Sequence, residues 1–95
     1  MTKAEIITKI AKQTGIHKPD VELVVEALFQ AIQDAMSSGE SVYFKGFGKF
    51  INKKRAKKVA RNLADNTAIL LEEHYVPTLK PSQAFRTLIK ATVKG

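Results

Sequence analysis

GFGKF, at residues 46–50, opens the stretch that decides the fold, and this stretch runs on to Pro77. Two glycines around one aromatic residue permit a tight reversal between strands, because glycine adopts positive φ without steric cost. After the reversal the residues keep the alternation of an extended strand as far as a turn at 61–66, where Asn and Asp favour a change of direction. The stretch therefore predicts a long two-stranded ribbon that leaves the protein body and returns to it at Pro77.

Positive charge is concentrated on the outgoing strand of this ribbon. Seven of the sixteen Lys and Arg residues fall within thirteen positions, and no acidic residue lies between Glu40 and Asp65. After Phe50 neither face of the strand has enough apolar residues to be buried, so we expect the ribbon to project as an arm. Such a clustered positive field is typical of a protein that binds a polyanion, because each neutralised phosphate releases a condensed counterion. The seven cations are Lys49, Lys53, Lys54, Arg55, Lys57, Lys58 and Arg61.

The turn fixes an expected pairing for the two strands. If Asn62 pairs with Thr67, Lys58 lies opposite Leu71, and Glu72 and Glu73 follow on the return strand. These two carboxylates either offset local charge or contribute to specificity or to masking of the arm. This pairing leaves Leu63 at the tip with nothing to pack against. Leu63 is then either an ordinary exposed leucine or an apolar wedge that enters between stacked bases.

Helical patterns flank the ribbon on both sides. A capping box at Thr2 and Glu5 and a stop at Gly15 predict a first helix over residues 3–14. A second helix has Pro19 in its first turn and completes a helical hairpin over about 3–38. The sheet and arm occupy about 41–79, and a C-terminal helix about 82–93. The order α-α-β-β-β-α defines a single domain, 1–95, of the α+β class.

The size of the chain favours association with a second copy. Of 95 residues, roughly 70 remain for the body, a size at which one core seldom supplies more than about 3–5 kcal/mol. Phe44, Phe47 and Phe50 are the expected aromatic core. We therefore expect an oligomer.

Several classes of function are disfavoured. The chain has no cysteine and no apolar stretch of membrane-spanning length, which predicts an intracellular protein without a membrane partner. His17 and His74 are the only histidines, and no catalytic or metal-binding pattern accompanies them, so we expect no enzyme, cofactor, metal site or small-molecule substrate. The second helix is acidic, which argues against its reading DNA in a helix-turn-helix.

The motifs GFGKF at 46–50, Arg55-Ala56, Arg61-Asn62-Leu63 and Val76-Pro77 follow the order and spacing of a known family. In these motifs the chain resembles the bacterial histone-like HU family and its sister, integration host factor. The resemblance implies an intertwined homodimer with a helical base and two β-ribbon arms in the minor groove of double-stranded DNA. A heterodimer with a paralogue stays open. The resemblance also implies a cytoplasmic protein of the nucleoid.

The same resemblance implies the DNA-contacting residues. It places Leu63 where the family usually has an intercalating proline. Ala60 and Asn66 stand where the family usually has glycines. The predicted function is largely sequence-independent, non-catalytic DNA binding and bending, with sequence-specific bending or RNA binding as alternatives. The predicted contacts are Lys53, Lys54, Arg55, Lys57, Lys58, Arg61, Asn62 and Leu63 on the arm, with Lys3, Lys80 and Arg86 on the body.

Overall fold

The computed structural model describes residues 1–62 and 67–93. The predicted α+β order is confirmed, but each of the two long strands is interrupted once, so that these described residues form five strands where three were expected. The elements are α1 (Lys3–Thr14), α2 (Lys18–Ser37), β1 (Val42–Phe44), β2 (Gly48–Arg55), β3 (Lys58–Asn62), β4 (Thr67–Leu71), β5 (His74–Pro81) and α3 (Gln83–Thr92).

The ends of α1 follow from the residues that cap it. The Thr2 hydroxyl accepts a hydrogen bond from the backbone N–H of Glu5 at 3.2 Å, which satisfies one of the unpaired donors of the first turn. Gly15 has a φ of 73° and donates its N–H to the Ala11 carbonyl, a left-handed cap that favours glycine. The predicted bounds of this helix are therefore correct.

The strands form two antiparallel sheets. One has the order β1-β2-β5, and the other consists of β3 and β4 alone. We call the β3–β4 pair the ribbon. Its register pairs Asn62 with Thr67 and Lys58 with Leu71, as the turn predicted.

Glycine is needed at the two positions of GFGKF for different structural reasons. Gly46 has a φ of 80°, which suits the turn between β1 and β2. Gly48 is buried, and a Cβ there would stand 2.8 Å from the backbone oxygen of Lys80 on β5. Only a residue without a side chain lets β5 approach β2 this closely.

The described residues bury little apolar surface within one chain. Ile7 on α1 and Val21 on α2 are 3% and 4% exposed, and they are the buried hydrophobic residues of the described part. Phe44 and Phe50 are half-buried and meet edge to face at 6.2 Å. Phe47 packs on Phe85 of α3 but remains 45% exposed, so the expected aromatic core is incomplete in a single chain.

The chain divides into two compact units, Met1–Ala35 and Met36–Gly95. The first contains α1 and most of α2, and the second contains the strands and α3. Among the described residues, no helix combines the length and apolar character needed to cross a membrane.

Candidate nucleic-acid interface

Strand register sorts the charged residues of the three-stranded sheet onto two faces. Directly paired residues of antiparallel strands share a face, and successive residues alternate between faces. One face carries four cations, and neither a described Asp nor a described Glu lies on these strands. We call it the cationic face; it comprises Tyr43 of β1, Lys49, Ile51, Lys53 and Arg55 of β2, and His74, Val76, Thr78 and Lys80 of β5.

The cationic face brings together three of the predicted contacts: Lys53, Arg55 and Lys80. All three side chains are exposed, and no ion pair is found for them among the described residues. Lys80 lies directly opposite Lys49, a residue of the basic run that was not among the predicted contacts. Extending the predicted turn register inward along both strands would have found this pairing.

The opposite face of the same sheet has another character. It contains the aromatic pair Phe44 and Phe50, and it also contains Lys54. The Nζ of Lys54 lies 2.8 Å from Oε1 of Glu73, with both side chains about half exposed. Lys54 is thus a predicted contact that is already paired with a carboxylate in the free protein.

A short joint separates the sheet from the ribbon. Ala56 and Lys57 on one side and Glu72 and Glu73 on the other belong to no strand. His74 Nδ1 lies 2.7 Å from the Glu72 carbonyl oxygen; since a carbonyl only accepts, the ring nitrogen donates. Lys57, another predicted contact, is exposed at this joint.

The ribbon carries the next group of predicted contacts. Lys58, Arg61 and Asn62 lie on β3, which pairs antiparallel with β4. Leu63, the predicted wedge, lies outside the described residues. The structure therefore fixes the backbone that leads to the tip.

The two remaining predicted contacts belong to helices and not to the strands of the cationic face. Lys3 on α1 forms an ion pair with Glu26 on α2. The hydrogen bond that Lys3 donates to the Glu26 carboxylate, together with the negative charge of that carboxylate, raises the pKa of Lys3 above its ordinary value of 10.5. Arg86 on α3 lines an apolar groove with Leu79, Phe85 and Ile89.

The histidines have the local roles expected of exposed residues. The His17 carbonyl accepts hydrogen bonds from the N–H groups of Asp20 and Val21 at the start of α2. His74 lies on the cationic face, directly opposite Arg55.

Sequence comparison identifies the family. The profile of the family described as bacterial DNA-binding proteins matches residues 1–90. The chain belongs to the bacterial DNA-binding protein family. Among relatives in this family, DNA-binding protein HU of Thermotoga maritima is 36% identical over 90 residues, which cover 95% of this chain and 100% of the relative. Integration host factor subunit beta of Hahella chejuensis is 35% identical, and the alignment covers 100% of this chain and 98% of that relative.

Solved structures of the bacterial DNA-binding protein family share the fold. The Anabaena HU–DNA cocrystal structure matches with a TM-score of 0.87 and 28% identity, covering 99% of this chain and 100% of the Anabaena chain. HU from Thermotoga maritima matches with a TM-score of 0.67 and 28% identity, covering 94% of this chain and 98% of that one. The predicted family and fold are both confirmed, and the chain has the HU and integration host factor type of α+β fold.

Proposed function

We propose that this protein is a non-catalytic architectural protein that binds and bends double-stranded DNA with little sequence preference. The observation that carries the proposal is the cationic face, whose exposed Lys and Arg residues lead toward the ribbon with no carboxylate among the described residues of β2 and β5. Family membership and the likeness to an HU–DNA cocrystal structure support it. In a bacterial cell its place is the nucleoid.

Electrostatics dominates the proposed binding. The cations of the arm and sheet contact phosphates, which carry no base sequence, and the minor groove distinguishes little beyond A·T from G·C. Affinity should fall steeply with salt, because every phosphate contact releases a counterion. The proposed contacts are Lys53, Lys54, Arg55, Lys57, Lys58, Arg61, Asn62 and Leu63, with Lys3, Lys80 and Arg86.

The active species is proposed to be a homodimer in which each whole chain acts as one domain. In a single chain Leu23, Val24 and Leu88 are each more than half exposed. The groove along α3 is almost wholly apolar as well. A second copy that covers these surfaces would supply the core that one chain lacks. The dimer presents two arms to the same duplex.

Bending is proposed to depend on Leu63 at the arm tip. Leucine is among the apolar residues that enter between base steps in minor-groove proteins, a mechanism already known for HU and integration host factor. Unstacking costs a few kcal/mol per step, which extra contacts along the bent duplex offset. The Leu63→Ala variant should therefore bend DNA less while it retains most of its affinity.

Fluorescence energy transfer across a labelled duplex measures the bend, and salt titration measures affinity. Leu70→Ala is the matched control, because Leu70 is an exposed leucine of β4 away from the tip. Leu70→Ala should leave the bend unchanged. An unaltered bend in Leu63→Ala would refute the wedge, and equal binding of the wild type to duplex RNA would refute a preference for DNA.

Sequence-specific bending is the second candidate, and the 35% identity to an integration host factor subunit favours it. Competition between a selected site and random duplex separates the two functions. A specificity ratio below about 10³ supports the sequence-independent function, since specific DNA-binding proteins usually exceed it.

A further inference from the structure

We propose that the outer edge of β4 (Thr67–Leu71) is a self-association surface, which pairs antiparallel with the β4 edge of a second copy of this chain. The occupant of the edge is thus the ribbon of another molecule. This inference goes beyond the proposed function, because it concerns how the protein associates when no DNA is bound.

The outer edge of β4 is open. Within residues 1–62 and 67–93, β4 is hydrogen-bonded to β3 and to no other strand. A strand that is paired on one side presents unpaired N–H and C=O groups on the other. Such a row of groups is a template on which another extended segment adds as a further strand.

β4 lacks the features that usually protect an open edge. Natural edge strands carry Lys, Pro or a bulge that prevents pairing with another chain. β4 has the sequence TAILL, with no charged residue, no proline and no glycine. Ala68 and Leu70 are exposed, Leu70 by 51%. Thr67 and Ile69 are β-branched, which favours the extended conformation. The strand is therefore suited to edge pairing.

Charge selects the β4 edge of a second copy as the partner. β3 carries Lys58 and Arg61, so two β3 edges would gather four cations in one short sheet, which is unfavourable. A β4 edge on a β3 edge leaves one edge of each kind free and continues without limit, whereas two β4 edges close about a twofold axis. DNA is a poor occupant of this edge, because β4 offers no cation to a phosphate.

A twofold axis at Ile69 gives the best register. Ile69 then lies opposite Ile69 of the second copy, Ala68 opposite Leu70, and Thr67 opposite Leu71. All of β4 is paired, and no charged residue enters the contact. The product is a four-stranded sheet made of two ribbons. Since an isolated two-stranded pair is marginally stable and three or more strands are needed for independent stability, pairing also stabilises the free arm.

Net charge gives this association a salt dependence opposite to that of DNA binding. The chain carries a formal net charge of +7, so two copies repel each other, and added salt screens this repulsion. The backbone hydrogen bonds and uncharged side chains of the paired edges do not need low salt. Self-association should therefore strengthen between about 0.05 M and 0.5 M salt, whereas DNA binding weakens over the same range.

Cysteine substitution tests the register, because the natural chain contains no cysteine. Ile69→Cys would place two thiols directly opposite each other, with Cα atoms about 4.5–5.5 Å apart, a separation that a disulfide spans. Ala68→Cys would place them on a diagonal, with Cα atoms about 8 Å apart. Mild oxidation without DNA should link chains several times faster in Ile69→Cys. Equal or reversed rates would overturn the proposal.

Light scattering over a concentration series measures the association itself. Ile69→Lys would set two ammonium groups opposite each other and should weaken association about fivefold or more. Ile69→Thr keeps an uncharged, β-branched residue and should remain close to the wild type. Gln13→Lys adds the same charge at an exposed position of α1 and should also remain close to it. Loss in either control equal to that in Ile69→Lys would overturn the proposal.

Failure of this inference and failure of the proposed function give different results. If the wild type binds duplex DNA but its mass without DNA does not rise with concentration and salt, only the edge pairing is wrong. If the mass rises and Ile69→Lys prevents the rise, but duplex DNA is not bound, the proposed function is wrong and the edge pairing stands.

Discussion

The β2–β5 pair and the β3–β4 ribbon continue one register, but they are held together differently. β2 and β5 lie in a three-stranded sheet, where the half-buried Phe50 meets Phe44 and Gly48 admits the Lys80 carbonyl at close range. The ribbon has two strands and, in its sequence, no comparable aromatic residues. An isolated two-stranded pair is marginally stable in water. The ribbon therefore depends on the sheet that anchors it and on the DNA that it is proposed to hold.

The largest effect is expected where this anchor is tightest. Gly48→Ala puts a methyl group 2.8 Å from the Lys80 backbone oxygen and 3.2 Å from Pro81 Cα. Overpacking of this kind costs about 1–3 kcal/mol, or a fall in Tm of about 5–20 °C for a domain of this size. Thermal unfolding at matched protein concentration measures it.

Gly46→Asn is the control for that experiment. A side chain at Gly46 meets open space, and asparagine tolerates the left-handed conformation that this turn requires. Some strain remains at this φ, about 1 kcal/mol or less for asparagine, so Tm should fall less than in Gly48→Ala. Equal losses in both variants would show that the turn, and not the close approach of β5, limits stability.

An intermediate effect is expected at the joint between sheet and ribbon. Glu73→Gln removes the carboxylate that holds Lys54 and leaves this lysine available to phosphate. Exposed ion pairs are worth about 0.2–1 kcal/mol, so DNA affinity at low salt should rise by up to about fivefold. Fluorescence anisotropy at several salt concentrations measures the change, and Glu40→Gln is the charge-matched control. If both variants gain equally, Lys54 contacts no phosphate.

The smallest effect is expected in the helical unit, where Glu26 holds Lys3 as Glu73 holds Lys54. In Glu26→Gln the pKa of Lys3 should fall back toward 10.5, because its hydrogen-bonded carboxylate is gone. The raised pKa means that the ion pair is intact at neutral pH and is lost only as pH rises through the folded-state value. NMR titration of the lysine follows this shift.

DNA affinity of Glu26→Gln should increase by less than about threefold, because a single exposed lysine is released. Glu22→Gln is the control, since Glu22 acts on Lys3 through its charge without that hydrogen bond. A decrease in affinity would show that the ion pair positions Lys3 for DNA.

Local signals in the sequence predicted much of this architecture. Thr2 and Gly15 fix the ends of α1, and the turn residues fix the ribbon register, because each acts on its immediate neighbours. The sequence carries no comparable local signal for the interruption at Ala56 and Lys57. The ion pair between Lys3 and Glu26 depends on two helices meeting, and spacing along one helix does not report it.

The candidate site, too, was predicted only in part from the sequence. The basic run was evident from the sequence, and so was its position on a strand. The pairing of β2 with β5 shows which cations share a face with Lys80, and it continues the register that the turn predicted. Lys49 was not among the predicted contacts because it is a neighbour of Lys80 across the sheet and not along the chain.

The joint also constrains how the arm could change length in evolution. Arg55 pairs with His74 and Lys58 with Leu71, so each strand contributes the same even number of residues to the gap. An even number of residues keeps the alternation of side chains between the two faces the same before and after the joint. A single inserted residue would exchange the two faces. Insertions and deletions in the arm should therefore occur as two residues on each strand. A single inserted or deleted residue should move every residue beyond it to the opposite face of the ribbon.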